Sequence, residues 1–164
     1  MKLLPMVLVV SAFVSAGCRS DPRDAAFPSV DQKLRSLGLN LTFDLVDGGY
    51  TVHATEADDD AILKAVGSLK ELQQGTSITE LDYERRFTFF LGGTAITDKA
   101  IAEILTLQVA QVRLNDTNVT AQSLTLLQDA PHLRVLVVGN GQFSGQQLQE
   151  FSKARPEIVV MDAE

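Results

Sequence analysis

The sequence is poor in the residues from which disulfides, metal sites and nucleic-acid surfaces are built. It has one cysteine, two histidines and no tryptophan in 164 residues, so no disulfide framework can form within the chain. Its 14 lysines and arginines are outnumbered by 21 aspartates and glutamates, giving a net charge of −7. Because binding to phosphates requires clustered basic residues, this balance argues against nucleic acid as a partner.

Motifs for catalysis and for cofactor binding are also missing. His53 and His132 have no H-x-x-x-H or H-E-x-x-H spacing, no serine lies in a G-x-S-x-G elbow, and no glycine pair precedes Lys-Ser or Lys-Thr. The acidic run from Glu56 to Asp60 lacks the alternate spacing and central glycine of a calcium loop. Acidic residues at a helix start explain this run better. We expect no enzyme activity, no cofactor and no metal.

The N-terminus has the layout of an export signal. Lys2 precedes an apolar run from Leu3 to Phe13, which is shorter than the ~20 residues of a membrane span, and small residues lead to Cys18. This segment resembles the bacterial lipobox, although Ser15 stands where leucine is usual. The resemblance implies a signal peptide over residues 1–17 and a lipid on Cys18. The alternative is an ordinary secretory signal with an incidental cysteine.

Residues 18–29 predict a flexible tether, because they contain two prolines and no apolar period. The following stretch, residues 30–46, predicts a cap for a domain that spans residues 30–164. Its apolar spacing favours a short helix that ends at Gly38. A β-hairpin follows, since Leu39, Leu41, Phe43 and Leu45 alternate with polar residues before the turn at 47–49.

The dominant feature is a pattern written three times between Leu91 and Ser144. The copies read LGGTAIT, LNDTNVT and VGNGQFS, and they begin at residues 91, 114 and 138, which are 23 and 24 residues apart. A strand-like alternation and a helix-like spacing recur in each copy, which predicts repeats that bury their apolar sides against one another. Four apolar columns keep this register: Leu91, Leu114, Val138; Ile96, Val119, Phe143; Ile101, Leu124, Leu148; Ile104, Leu127, Phe151.

Weaker copies precede these three. In the first, Val52 matches Leu91 and Asp58 matches Thr97, so one column of helix-capping residues is predicted at Asp58, Thr97, Thr120 and Ser144. A fainter copy at 69–79 favours a short extra repeat; the alternative is that residues 73–86 are an insertion in one long repeat. Residues 156–162 predict a last strand.

These repeats resemble the leucine-rich repeat, L-x-x-L-x-L-x-x-N-x-L, in the short form found in bacterial lipoproteins of planctomycete type. The resemblance covers roughly residues 47–162, with Thr or Gly at the place of the Asn. It implies an α/β solenoid of right-handed β-α repeats, with a parallel sheet on one face and short helices on the other. The pattern is filled by Val109, Val112, Leu114, Thr117 and Val119, and again by Leu133, Leu136, Val138, Gly141 and Phe143.

The strand residues between the buried ones predict a binding face. They form two rows, one with Thr51, Phe90, Arg113 and Val137 and the other with Gly49, Thr88, Gln111 and Val135. An aromatic residue beside an arginine, flanked by valines, has the composition of an interface centre. Alternatively, the C-terminal strand or a neighbouring molecule covers the valines and Phe90 stacks on Arg113. The predicted face consists of Phe90, Arg113, Val135, Val137, Thr88 and Gln111.

The sequence therefore favours a lipid-anchored, non-enzymatic protein that binds an unidentified protein partner in the bacterial cell envelope, attached to the membrane through Cys18. The alternative is a structural envelope lipoprotein with no single specific partner. The two hypotheses differ in the surface they require. A binding protein needs a contiguous apolar and charged patch, whereas a structural protein needs only polar cover.

Overall fold

A computed structural model describes residues 22–43, 49–73 and 86–163, which form an α/β fold with a six-stranded, mostly parallel sheet and five helices. The predicted signal peptide and Cys18 lie outside the described residues. The strands are β1 Leu39–Phe43, β2 Tyr50–Ala54, β3 Phe87–Phe90, β4 Val109–Arg113, β5 Val135–Gly139 and β6 Val159–Ala163. The helices are α1 Pro22–Arg35, α2 Asp59–Gln73, α3 Asp98–Ile104, α4 Ala121–Gln128 and α5 Gly145–Ala154.

The strands lie in the sheet in the same order as in the sequence, from β1 to β6. β1 and β2 pair antiparallel, which confirms the predicted hairpin, and every later pair is parallel. A parallel neighbour requires a crossover, and from β2 onward the described part of each crossover contains one helix. Consecutive helices contact one another, so that the helices also follow the sequence order.

The predicted apolar columns form the core. Every member of the four columns is at most 7% exposed except Leu148, which is partly buried against the same cluster. The column of Ile104, Leu127 and Phe151 has no exposed surface at all. The repeat period thus identified the buried side chains, because each strand and helix turns the same positions toward its neighbours.

The predicted capping column is also confirmed. The side chains of Thr97, Thr120 and Ser144 accept hydrogen bonds from backbone N–H groups in the first turns of α3, α4 and α5. Asp58 does the same for α2, accepting from the N–H of Ala61 at 2.8 Å. The starts of α2 to α5 therefore each satisfy one of their free N–H groups with the residue that precedes the helix.

The threonines at the Asn position of the repeat pattern hold the turns after the strands. The hydroxyl of Thr94 donates to the carbonyl of Leu91 at 2.6 Å, and that of Thr117 donates to Leu114 at 2.7 Å. Gly141 has no hydroxyl to offer. In its turn the N–H of Gly139 donates to Gln142 Oε1 at 2.9 Å. Gln142 Nε2 reaches the preceding turn, where it donates to the Leu114 carbonyl at 2.9 Å and to the Thr117 hydroxyl at 3.0 Å.

The predicted alignment of the first repeat is wrong by two residues in its strand. Val52 pairs with Phe89, not with Leu91. The mismatch arises because the connection from Val52 to the capping Asp58 is two residues shorter than that from Phe89 to Thr97. Aligning Asp58 with Thr97 at the helix starts therefore sets Val52 against Leu91, two residues beyond its actual partner Phe89.

The favoured short repeat at 69–79 is also wrong. Residues 69–73 belong to α2, which extends to Gln73, and β2 pairs directly with β3. Two adjacent paired strands leave no room for the strand of an additional repeat between them. The structure supports the alternative of one long repeat with an insertion, most of which lies outside the described residues.

The predicted tether is helical in its described part, since α1 begins at Pro22 and not at Val30. Ala26 and Phe27 pack against the core, and the ring of Phe27 stacks on Tyr50 at 6.1 Å. Burial of these two side chains favours continuation of the helix toward the N-terminus. The prolines suggested a linker, yet Pro28 lies within the helix. The helix itself ends at Arg35, three residues before the predicted end, and a turn leads from there to Gly38, where φ is +77°.

Candidate binding face

The strand pairing defines two rows of side chains on the face of the sheet opposite the core, which we call the outer face. The predicted residues Thr88, Gln111 and Val135 share one row, and Phe90, Arg113 and Val137 share the other. Both rows continue onto the remaining strands. The first row is Thr42, Thr51, Thr88, Gln111, Val135 and Val159, and the second is Asn40, His53, Phe90, Arg113, Val137 and Met161.

The structure corrects two details of the predicted face. His53, not Thr51, lies beside Phe90, because β2 is displaced by two residues from its predicted alignment. Val137 is only 6% exposed, although it is not part of the core cluster. It lies between Arg113 and Met161 on the neighbouring strands, and these longer side chains flank it. The low exposure of Val137 therefore contradicts its place among the exposed residues of the predicted binding face.

The face changes character from one end of the sheet to the other. Toward β1 it carries asparagine, threonine and histidine side chains, whereas toward β6 it becomes apolar. Val159 is 55% exposed and Met161 is 44% exposed. Neither row contains an acidic residue, and Arg113 is the one arginine or lysine in them. In a chain of net charge −7, these two rows are therefore free of negative side chains.

Arg113 is held in place by Asn115. Its Nε donates to Asn115 Oδ1 at 2.8 Å, and Asn115 Nδ2 donates in turn to Asp116 Oδ2 at 3.0 Å. Asp116 has a φ of +56°, a backbone conformation that asparagine and aspartate tolerate better than most residues. The guanidinium is thus oriented by the turn that follows its own strand.

The two neighbouring turns have glycine where this one has Asn115. A Cβ at Gly92 would lie 2.4 Å from Asn115 Oδ1, and a Cβ at Gly139 would lie 3.3 Å from Asn115 Cα. The asparagine side chain therefore occupies space that only glycine at position 92 leaves open. No sequence motif singles out Asn115, because its role depends on the space that Gly92 leaves in the neighbouring turn.

The rings of His53 and Phe90 stack with their centroids 4.8 Å apart and their planes within 7° of parallel. We call this pair the aromatic shelf. Next to it, an open pocket of about 260 Å³ is lined by His53, Ala54, Thr55, Phe90, Gly92, Arg113 and Asn115. The pocket thus combines an aromatic surface with one oriented guanidinium at the end of strands β2 to β4.

A second group of basic side chains lies away from this pocket, near the start of strands β3 and β5. Burial lowers the pKa of His132 below its ordinary value, and the nearby positive charges of Arg86 and Arg134 lower it further. Another open pocket, of about 270 Å³, lies on the helical side and is lined by Ala102, Leu105, Leu126, Asp129, Ala130 and Pro131. None of these lining residues provides a charged group that is oriented in the way that Arg113 is.

The described residues lack two features, a metal-binding cluster and a membrane-spanning helix. No group of three or more histidine, cysteine or acidic side chains is arranged to hold a metal ion. None of the helices in the described ranges has the length and apolar character needed to cross a membrane.

Comparison with known proteins does not assign the chain to a family. No model of a protein family matches the sequence. No curated protein is significantly similar to it. Support for its function therefore comes from its own residues and their arrangement.

Proposed function

We propose that this chain is a leucine-rich-repeat solenoid whose outer face binds another protein. The proposal of this fold rests on the L-x-x-L-x-L-x-x-N-x-L spacing, on the buried apolar columns, and on strands and helices that follow one another in sequence order. Repeats of this kind present an extended sheet face to partners, because each repeat adds one more strand to the same surface. The proposed function is binding and not catalysis.

One observation carries this proposal. The strand register puts an aromatic, a cationic and an apolar side chain in a single row, as Phe90, Arg113 and Met161, with the nearly buried Val137 between the last two. Aromatic residues, methionine and arginine are enriched at the centres of interfaces, whereas aspartate and glutamate are depleted there. The absence of acidic residues from both rows agrees with that composition.

The competing proposal, a structural lipoprotein with no single partner, is favoured by the polar half of the face. Asn40, Thr42 and Thr51 supply only the polar cover that such a protein needs. The exposed Val159 and Met161 favour binding instead, since large apolar side chains clustered on a surface mark interaction sites.

Crosslinking of the intact protein in its native envelope tests the proposal. We expect one stoichiometric partner, and we expect its recovery to be lost when Phe90 and Arg113 are both changed to alanine. The matched control removes one partly exposed apolar side chain and one basic side chain from the helices, through Leu126→Ala and Lys99→Ala. A broad mixture of crosslinked proteins would favour the structural alternative. Equal recovery of one partner with both double variants would show that the binding face lies elsewhere.

We also propose that the protein is exported and anchored by a lipid on Cys18. The support is the coincidence of the apolar segment, the small residues and the single cysteine in the sequence. Mass spectrometry of the mature protein tests this independently of any partner. We expect an acylated Cys18 as the first residue, and a free thiol or cleavage at another position would contradict the anchor.

A further inference from the structure

The pocket at the end of strands β2 to β4 has one group whose chemistry selects a ligand, the guanidinium of Arg113. Within the described part of the chain, its bond from Nε to Asn115 is its one hydrogen bond, and it has no salt bridge there. A guanidinium carries five N–H donors. Four of them therefore remain for a ligand. The two rows contain no carboxylate, and the carboxylate of Asp116, in the turn after β4, accepts its hydrogen bond from Asn115.

The orientation of this guanidinium is built into the neighbouring turns. Asn115 accepts from Nε and so fixes the plane of the group, and Gly92 leaves the space in which the Asn115 side chain lies. An arginine held in this way loses less conformational freedom when it binds a carboxylate. Its remaining edge matches the two oxygens of a carboxylate, which it can engage with two parallel hydrogen bonds.

The aromatic shelf provides the second recognition element. His53 and Phe90 stack face to face on the strands next to Arg113. Neighbouring strands are ~4.8 Å apart, so a flat apolar surface lies about one strand spacing from the cation. The ligand that fits both elements carries an apolar group and a carboxylate a few bonds apart.

The size of the pocket limits what can enter it. Sites for drug-sized molecules have volumes of roughly 300–1,000 Å³, and this pocket has about 260 Å³ and is open to solvent. It therefore accommodates one residue of a larger partner more readily than a complete small molecule. A contact of this size gives modest affinity alone and gains from the rest of the outer face.

We propose that this pocket binds the C-terminal residue of a partner protein, with the α-carboxylate on Arg113 and an apolar or aromatic last side chain on the aromatic shelf. A C-terminal residue bears its carboxylate and its side chain on the same Cα, which suits groups separated by one strand spacing. An internal aspartate or glutamate carries its carboxylate at the tip of the side chain and brings no apolar group with it. The inference rests on the proposed protein-binding function and names the chemistry of the partner.

The test uses defined probes with the full chain, kept in a mild detergent. N-acetylphenylalanine imitates an apolar C-terminal residue, N-acetylphenylalaninamide removes its charge, and acetate supplies the carboxylate alone. We expect N-acetylphenylalanine to shift the NMR signals of the Arg113 Nε–H and Asn115 Nδ2 groups saturably. The amide and acetate should each bind at least tenfold more weakly.

Variants connect the binding to the residues. Arg113→Gln should weaken N-acetylphenylalanine binding at least tenfold, Phe90→Ala should weaken it severalfold, and the control Arg134→Gln should leave it unchanged. Arg113→Lys keeps the charge without the two-pronged geometry, and it should fall between the wild type and Arg113→Gln. It also replaces Arg113→Gln if that variant does not fold.

Three outcomes would overturn the inference. Equal binding of the acid and the amide would show that the carboxylate is not recognised, and equal binding of acetate would show an adventitious ion only. Equal binding of an amidated peptide with an internal glutamate would exclude a C-terminus as the preferred source. In each case the crosslinked partner could still depend on Phe90 and Arg113, so these failures are distinguishable from a failure of the proposed function.

Discussion

Asp98, the first residue of α3, accepts hydrogen bonds from both the backbone N–H and the hydroxyl of Thr120, the residue that caps α4, at 2.9 and 2.6 Å. Asp59 makes the same pair of bonds with Thr97, at 2.8 and 2.6 Å. The series stops at the next helix, which begins with Ala121. There the N–H of Ser144 donates at 2.7 Å to Gln147 of its own helix. At the starts of α3 and α4, an aspartate at the start of the preceding helix thus binds the capping threonine.

Replacing Asp98 with asparagine should destabilise the protein by ~1–3 kcal/mol. The reason is that the hydrogen bonds from the N–H and the hydroxyl of Thr120 would lose their charged acceptor. Asp98 also accepts from the hydroxyl of the fully buried Ser123, which would lose its charged partner. The free energy of unfolding, measured by chemical denaturation, checks this. Asp60→Asn is the control: its side chain is 75% exposed in a long ion pair with Lys99, and we expect less than about 1 kcal/mol. Equal losses in both variants would contradict a linking role for Asp98.

The same carboxylate should make stability depend on acid pH. Burial alone would raise the pKa of Asp98, but hydrogen bonds from Ser123 and Thr120 outweigh it and lower the pKa below the ordinary value for aspartate. The unfolded chain therefore takes up a proton at higher pH than the folded chain, so this contribution is present near neutral pH and is lost as the pH falls below about 4. The difference in unfolding free energy between the wild type and Asp98→Asn should shrink between pH 6 and pH 3. A difference that stays constant over this range would exclude Asp98 as its source.

Leu127→Ala should cost ~2–5 kcal/mol, because truncation of a fully buried side chain removes packing and leaves a cavity. Leu127 has no exposed surface and lies in the column with Ile104 and Phe151. Chemical denaturation measures the loss. The adjacent Leu126 is only partly buried, so Leu126→Ala should cost less than half as much. A loss below about 0.5 kcal/mol for Leu127→Ala, which is typical of surface changes, would show that the helix presents a different side to the core.

Gly92→Ala should destabilise the protein by ~1–3 kcal/mol, as expected when extra volume is forced into packed space. The new methyl group would lie 2.4 Å from Asn115 Oδ1, so the asparagine must move away from Arg113. Thermal unfolding together with the NMR signal of Arg113 Nε–H measures both effects. Gly67→Ala is the control: it adds a methyl group within α2 with no atom within 4 Å, and it should stabilise the protein by ~0.5–1 kcal/mol. An unchanged Arg113 signal in Gly92→Ala would mean that Asn115 does not depend on the glycine.

The features that the sequence predicted correctly depend on local periodicity. The capping residues Thr97, Thr120 and Ser144 were identifiable because a short polar side chain directly before an apolar helix pattern serves neighbouring N–H groups. The core columns were identifiable because one period repeats the same environment. Both kinds of prediction require only residues that are close together in the chain, or that are related by an unchanged period.

The predictions that failed depend on a change in that period. A connection shorter by two residues displaced β2, so Thr51 was placed where His53 lies, and a faint match at 69–79 suggested a repeat that the pairing of β2 with β3 excludes. The extension of α1 to Pro22 was not predicted, because it depends on the stacking of Phe27 on Tyr50, which is distant in the sequence. Local propensity cannot anticipate burial that another element provides.

The candidate site shows the same division. The sequence by itself determined that Phe90 and Arg113 are neighbours on one face, because strand alternation and a constant period place them there. Only the tertiary structure decided that His53 stacks on Phe90, and that Met161 and Arg113 flank Val137. The same holds for Asn115, which orients Arg113 from the space that Gly92 leaves open. The physical reason is that a repeat period specifies which residues share a face, whereas the side-chain contacts across that face depend on the register of each strand pair and on the space that neighbouring turns leave open.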